Sequence, residues 1–131
     1  MIDSQPPKTF QGILITEERP KIVTLCGSSR FCGHMAVMAW EFEKQGWIAL
    51  GLHLLPDDYC RQKGYIPDEA GRIHHIGEQE GVEKNMDTLH FKKIEISDYI
   101  YVMNINGYIG QSTAREIAYA ESLGKQIGYY E

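Results

Sequence analysis

The apolar positions of this chain change period repeatedly along its length. Ile22 to Cys26 is a short β-branched and apolar run closed by Gly27, Ser28 and Ser29, the pattern of a strand buried on both faces. Phe31 to Gln45 then places Met35, Met38, Ala39 and Phe42 at helical spacing, and Gly46 stands where a helix-ending glycine belongs. Trp47 to Leu55 is again strand-like, up to Pro56. A strand, a tight turn, a helix and a strand in this order predict two parallel strands joined by a right-handed crossover.

The alternation resumes after an irregular stretch. Glu83 to Ser97 reads as a helix with Asp87, His90, Phe91 and Ile94 near one face, and Tyr99 to Met103 as a third strand. Asn104 to Gln111 is a glycine-bearing loop, Ser112 to Leu123 a helix stopped by Gly124, and Lys125 to Tyr130 a fourth strand. Residues 21–131 are therefore expected to form one α/β domain, a doubly wound, flavodoxin- or Rossmann-like parallel sheet of four to five strands. Residues 1–20 hold three of the five prolines and read as an arm, or as an edge strand over Gly12 to Ile15. Pro56 to Val82, with Pro67 and the adjacent His74 and His75, reads as a lid, a binding loop or a disordered segment.

Composition narrows the function classes. With 43% hydrophobic and 24% charged residues, the 131-residue chain matches an ordinary soluble globular protein. Its net charge of -5 is spread without a basic run, which argues against duplex nucleic acid as partner and leaves a single nucleotide open. No apolar stretch is long enough to span a bilayer, so no membrane partner is expected. Cys26, Cys32 and Cys60 show neither a disulfide framework nor zinc-knuckle spacing. The opening MIDSQPPKTF lacks the order of a signal peptide. A reducing, cytoplasmic setting is the expectation. His74 and His75 have no third ligand in view, and neither a metal nor an organic cofactor is called for.

Ligands of open parallel α/β sheets bind outside the carboxyl ends of the strands, where strand order reverses. Two loops fall there. In GSSRF, Gly27 permits a tight turn, Ser28 and Ser29 offer hydroxyls, Arg30 offers charge, and the helix-opening N–H groups offer donors to an anion. A helix cap is the plainer role for either serine. In NINGYIGQSTARE, residues 104–116, a glycine-rich loop with Tyr108 leads into a helix whose first turn is expected to carry Glu116. That carboxylate could attack a sugar carbon, as in retaining glycosidases. Thr113 and Glu116 equally fit a capping box, in which Glu reaches back to a backbone N–H. Asp87 and His90, one turn apart, offer an acid–base pair or a solvated helix face. Asp98 reads as a turn contact.

The stretches KIVTLCGSSRF and LHFKKIEISDYIYVMNINGYIGQSTAREIAYAESLGKQI, a little under half of the chain, resemble the nucleoside 2-deoxyribosyltransferase-like superfamily. That superfamily includes the transferases and the nucleoside 5′-monophosphate N-glycosidases. The resemblance implies a catalytic glutamate at Glu116 and a 5′-phosphate held by Ser28 or Ser29 and by Ser112. Around these, the two loops offer Gly27, Arg30, Asn104, Tyr108, Gly110 and Thr113 as further candidate substrate-binding residues, and the resemblance implies a homodimer. One departure stands out. Many members carry an aspartate about eight residues before the one that precedes the third strand; counting back from Asp98, this chain has His90 there and Asp87 one turn earlier. The expected activity is N-glycosidic bond cleavage in a nucleoside 5′-monophosphate or nucleoside, with hydrolysis favoured over deoxyribosyl transfer because the transferases' C-terminal elements are not evident. The alternative is a non-catalytic protein that senses or sequesters a nucleotide-derived ligand.

Overall fold

The computed structural model of the protein describes residues 8–67 and 76–131. His74 and His75 lie outside the described residues. The hairpin β1 (Lys8–Phe10) and β2 (Ile13–Ile15) comes first. It is followed by β3 (Ile22–Cys26), α1 (Cys32–Lys44), β4 (Ile48–Leu50), α2 (Asp57–Gln62) and α3 (Ile76–Glu80). The chain continues through α4 (Glu83–Ile96), β5 (Tyr99–Val102), α5 (Gln111–Ser122) and β6 (Gln126–Tyr129). Short 3-10 turns cover Ser29–Phe31 and Ile105–Gly107.

The main sheet has the order β4-β3-β5-β6 with every pair parallel. Taken in chain order this is 2-1-3-4, so the direction of winding reverses between β3 and β5. The helices divide accordingly. Val23 and Leu25 of β3 pack with Met35 and Phe42 of α1 on one face. Cys26 and Ile100 pack with Ile94 of α4 and Ala120 of α5 on the other. The apolar run IVTLC has no polar alternation because both faces of β3 are covered, and four of its five residues are buried. Phe42, Trp47, Tyr99 and Tyr101 add an edge-to-face aromatic cluster on the α1 side, with the Phe42 and Tyr101 centroids 5.2 Å apart. At the amino end of the sheet Asp98 accepts a hydrogen bond from the Ile22 N–H at 2.8 Å and pairs with Arg19. These are the turn contacts expected of it, and they hold its carboxyl below the usual range.

Several boundaries differ from expectation. The run expected to be a strand as far as Leu55 leaves the sheet after Leu50, where its partner β3 is paired only to Thr24. Gly51 is held instead by its carbonyl, which accepts from Lys93 Nζ at 2.7 Å. Gly12 to Ile15 does not add an edge strand to the main sheet. It pairs antiparallel with Lys8–Phe10, through a two-residue turn in which Gln11 and Gly12 both take positive φ, the geometry that matches hairpin twist. Within Pro56 to Val82 the structure places α2 and α3. Among the described residues no helix is long and apolar enough to cross a membrane.

Candidate site where the winding reverses

Cys26 is the last residue of β3, and its thiol faces α4 and α5 rather than α1. There Cys26 Sγ lies 3.4 Å from His90 Nε2, and the same nitrogen lies 3.3 Å from Glu116 Oε1. Three elements that are distant in sequence thus deliver a thiol, an imidazole and a carboxyl to one point at the β3/β5 reversal. His90 and Glu116 side chains are 6% and 14% exposed. Neither His90 Nδ1 nor Glu116 Oε2 has a hydrogen-bond partner among the described residues. Unpaired buried polar atoms are uncommon because each forgoes its hydration without replacement.

Burial sets the protonation of all three groups. It pushes the Glu116 carboxyl up to about 8, with the Asp87 carboxylate adding to the rise and Arg115 opposing it. It pushes the His90 imidazole down to about 4, with the Lys93 ammonium adding to the shift. The Cys26 thiol is raised as well, by burial first and by Glu116 second. At neutral pH the cluster therefore holds a neutral thiol, a neutral imidazole and a mostly protonated carboxyl.

The capping box does not form. Helix α5 begins at Gln111 with Gly110 as its N-cap, and no side chain caps it. Thr113 is inside the helix and 3% exposed, so it cannot take a cap position. Glu116 consequently sits in the second turn, not the first, and its carboxyl is free to reach His90. Gly110 leaves room for Tyr108, whose hydroxyl would lie 3.3 Å from a Cβ at that position.

The two loops singled out in the sequence do meet. The Arg30 guanidinium lies over the Tyr108 ring at 4.1 Å, and Phe31 packs edge-on against the same ring. Gly27 matters here for a different reason than turn formation: a Cβ on it would stand 3.0 Å from Met103 Cβ, so a larger residue would crowd the ends of β3 and β5. Ser28 caps the following 3-10 turn, its hydroxyl accepting from the Arg30 N–H at 3.3 Å. Ser29 is half-buried beside it. Ser112 is exposed on the first turn of α5 and accepts from Arg115. Asn104 is already engaged, its side chain bonded in both directions to the Glu131 backbone. Asp87 is exposed, one turn before the buried His90.

The expected pocket residues Ser28, Ser29 and Glu116 line neither of two cavities among the described residues, of which one, about 320 Å³, is bordered by Gly33, His34, Val37, Met38 and Tyr130. The other, about 250 Å³, lies between α1 and the end of β4, lined by Leu25, Met35, Ala39, Gly51, His53 and Lys93 among others. Leu25 and Met35 place this cavity on the α1 face of β3, whereas the Glu116 cluster occupies the opposite face. Lys93 lies one helical turn after His90 and reaches toward the cavity's rim through its bond to Gly51.

Sequence reasoning overlooked Cys26, which reads as an ordinary core thiol. Its position at the carboxyl end of the central strand, directly before Gly27, was the available signal. No family model matches the chain, and no curated protein or solved structure matches it either.

Proposed function

We propose that the chain cleaves the N-glycosidic bond of a nucleoside 5′-monophosphate or a nucleoside, with Glu116 as the nucleophile. The observation that carries this reading is the state of the Glu116 carboxyl. It is withdrawn from the helix cap, buried at the β3/β5 reversal, and has one oxygen without a partner. A carboxyl engaged in a cap would point back along its own helix instead of into this cluster. The likeness of the two loops to the nucleoside 2-deoxyribosyltransferase-like superfamily points to the same residue.

In this reading the Glu116 carboxylate attacks C1′ as the C1′–N bond breaks, forming a glycosyl-enzyme, with Asp87 positioning the sugar and the departing base taking a proton from water. The hydroxide so formed, or a water that gives its proton to it, then attacks C1′ and releases the sugar, returning the carboxylate. Ser28, Ser29 and Ser112 hold the phosphate with Arg30, and Tyr108, already under the Arg30 guanidinium, flanks the base. No metal or organic cofactor takes part in these steps. A functional homodimer belongs to the same reading.

The second reading, a nucleotide sensor or sequestering protein, is favoured by one observation. A carboxyl raised to about 8 is mostly protonated at neutral pH, and in that form it donates a hydrogen bond rather than attacking. Chromatographic detection of free base from a panel of nucleosides and their 5′-monophosphates decides between the two, with Glu116→Gln as control. Base release that requires Glu116 supports the glycosidase. Tight calorimetric binding of one compound, without base release and with affinity kept in Glu116→Gln, supports the sensor.

A further inference from the structure

We infer that Cys26, His90 and Glu116 form a binding site for a borderline-soft divalent ion of the Zn²⁺ type. The sulfur, ring nitrogen and carboxylate oxygen lie within 4.8 Å of one another. In a tetrahedral zinc site with ordinary bond lengths, a thiolate sulfur and an imidazole nitrogen are about 3.6 Å apart, and an imidazole nitrogen and a carboxylate oxygen about 3.3 Å apart. The corresponding separations here are 3.4 and 3.3 Å. Two of the three ligand pairs are thus at ligand-like separations, and seating an ion asks that the sulfur and the carboxylate oxygen, within 4.8 Å of one another, close to about 3.6 Å.

The donor set selects the ion. A thiolate with an imidazole and one carboxylate suits zinc or cobalt, whereas magnesium and calcium take oxygen shells. The ion displaces the Cys26 thiol proton and the Glu116 carboxyl proton to solvent, so binding weakens as the pH falls, and the neutral imidazole offers a nitrogen lone pair. Of the two unpartnered atoms, the carboxylate oxygen is the one an ion would engage. Glu116 Oε2 supplies a second carboxylate oxygen beside the first, and His90 Nδ1, freed from any competing bond, carries the ring proton while Nε2 faces the ion. Three protein ligands leave a fourth coordination position for water or an anion.

The site is independent of the glycosidase reading, since binding is measured without turnover. Where both hold, zinc occupies the nucleophile and inhibits base release. The test is titration of the purified metal-free chain with Co²⁺, followed by competition with Zn²⁺. One Co²⁺ per chain is expected, with a thiolate-to-metal charge-transfer band in the near ultraviolet that Zn²⁺ removes. Substituting even an outer partner of a metal ligand costs 10–100-fold in affinity, so Cys26→Ala is expected to abolish the band and weaken Zn²⁺ binding by at least ~100-fold. His90→Gln should weaken it comparably, and Cys32→Ser should leave it intact. Absence of a charge-transfer band in the unaltered chain overturns the inference, as does a band that survives Cys26→Ala. Because the first of these outcomes needs no substitution, a variant that fails to fold does not protect the idea.

Discussion

The protonation of Glu116 and His90 gives the protein a pH dependence of stability that can be worked out in advance. Glu116 is raised from an ordinary value of 4.5 to about 8 in the folded chain. Its contribution is fully present below pH 4.5 and is lost as the pH rises through 8, because ionisation is resisted only in the folded state. His90 is lowered from 6.5 to about 4. Its contribution is present above pH 6.5 and is lost as the pH falls through 4. Between pH 4.5 and 6.5 the two slopes are opposite in sign and cancel. Between pH 6.5 and 8 Glu116 acts alone, and at about 1.4 kcal/mol per pH unit the folded state loses about 2 kcal/mol. Urea unfolding followed by the fluorescence of half-buried Trp47 measures this directly, as a midpoint shift at constant slope. Glu116→Gln removes the titration and should flatten the difference between pH 6.5 and 8 while leaving the His90 limb below pH 6.5. If the unaltered chain and Glu116→Gln lose stability equally over that interval, the buried protonated carboxyl is wrong.

Other consequences are read from separate contacts. If Glu116 is the nucleophile, base release below pH 8 should rise about tenfold per pH unit as the carboxylate forms, a slope that an initial-rate series across pH 6 to 8 would reveal or exclude. Ile94→Ala removes a side chain with no exposure from the α4–β5 layer and should cost about 2–5 kcal/mol in urea unfolding; a loss below about 1 kcal/mol would mean that the layer is not packed as described. Gly27→Ala forces a Cβ against Met103 and should cost about 1–3 kcal/mol, with no penalty expected if the two strand ends do not touch. Arg30→Ala exposes one ring face of Tyr108 and should change stability by no more than about 1 kcal/mol, while raising KM for a 5′-monophosphate and not for the nucleoside.

The sequence by itself determined the alternation of strands and helices. It did so because the signals are local: β-branched runs at Ile22–Cys26 and Tyr99–Val102, apolar positions at helical spacing in α1, and glycines at helix ends. It also placed the GSSRF and 104–110 loops on one edge, since a parallel sheet leaves no other place for them. The length of β4 was not legible, because Leu52, Leu54 and Leu55 look like strand residues and only the end of the ladder with β3 excludes them. The capping box was not legible either. Thr113 and Glu116 have the right spacing, but burial of Thr113 draws the helix start back to Gln111 and turns Glu116 inward. The cluster itself belongs wholly to tertiary structure. Cys26 and His90 are 64 residues apart, and their meeting depends on α4 and α5 packing on the same face of β3. Dehydration by that packing, which no local pattern encodes, is what sets the protonation of Glu116 and the chemistry open to it.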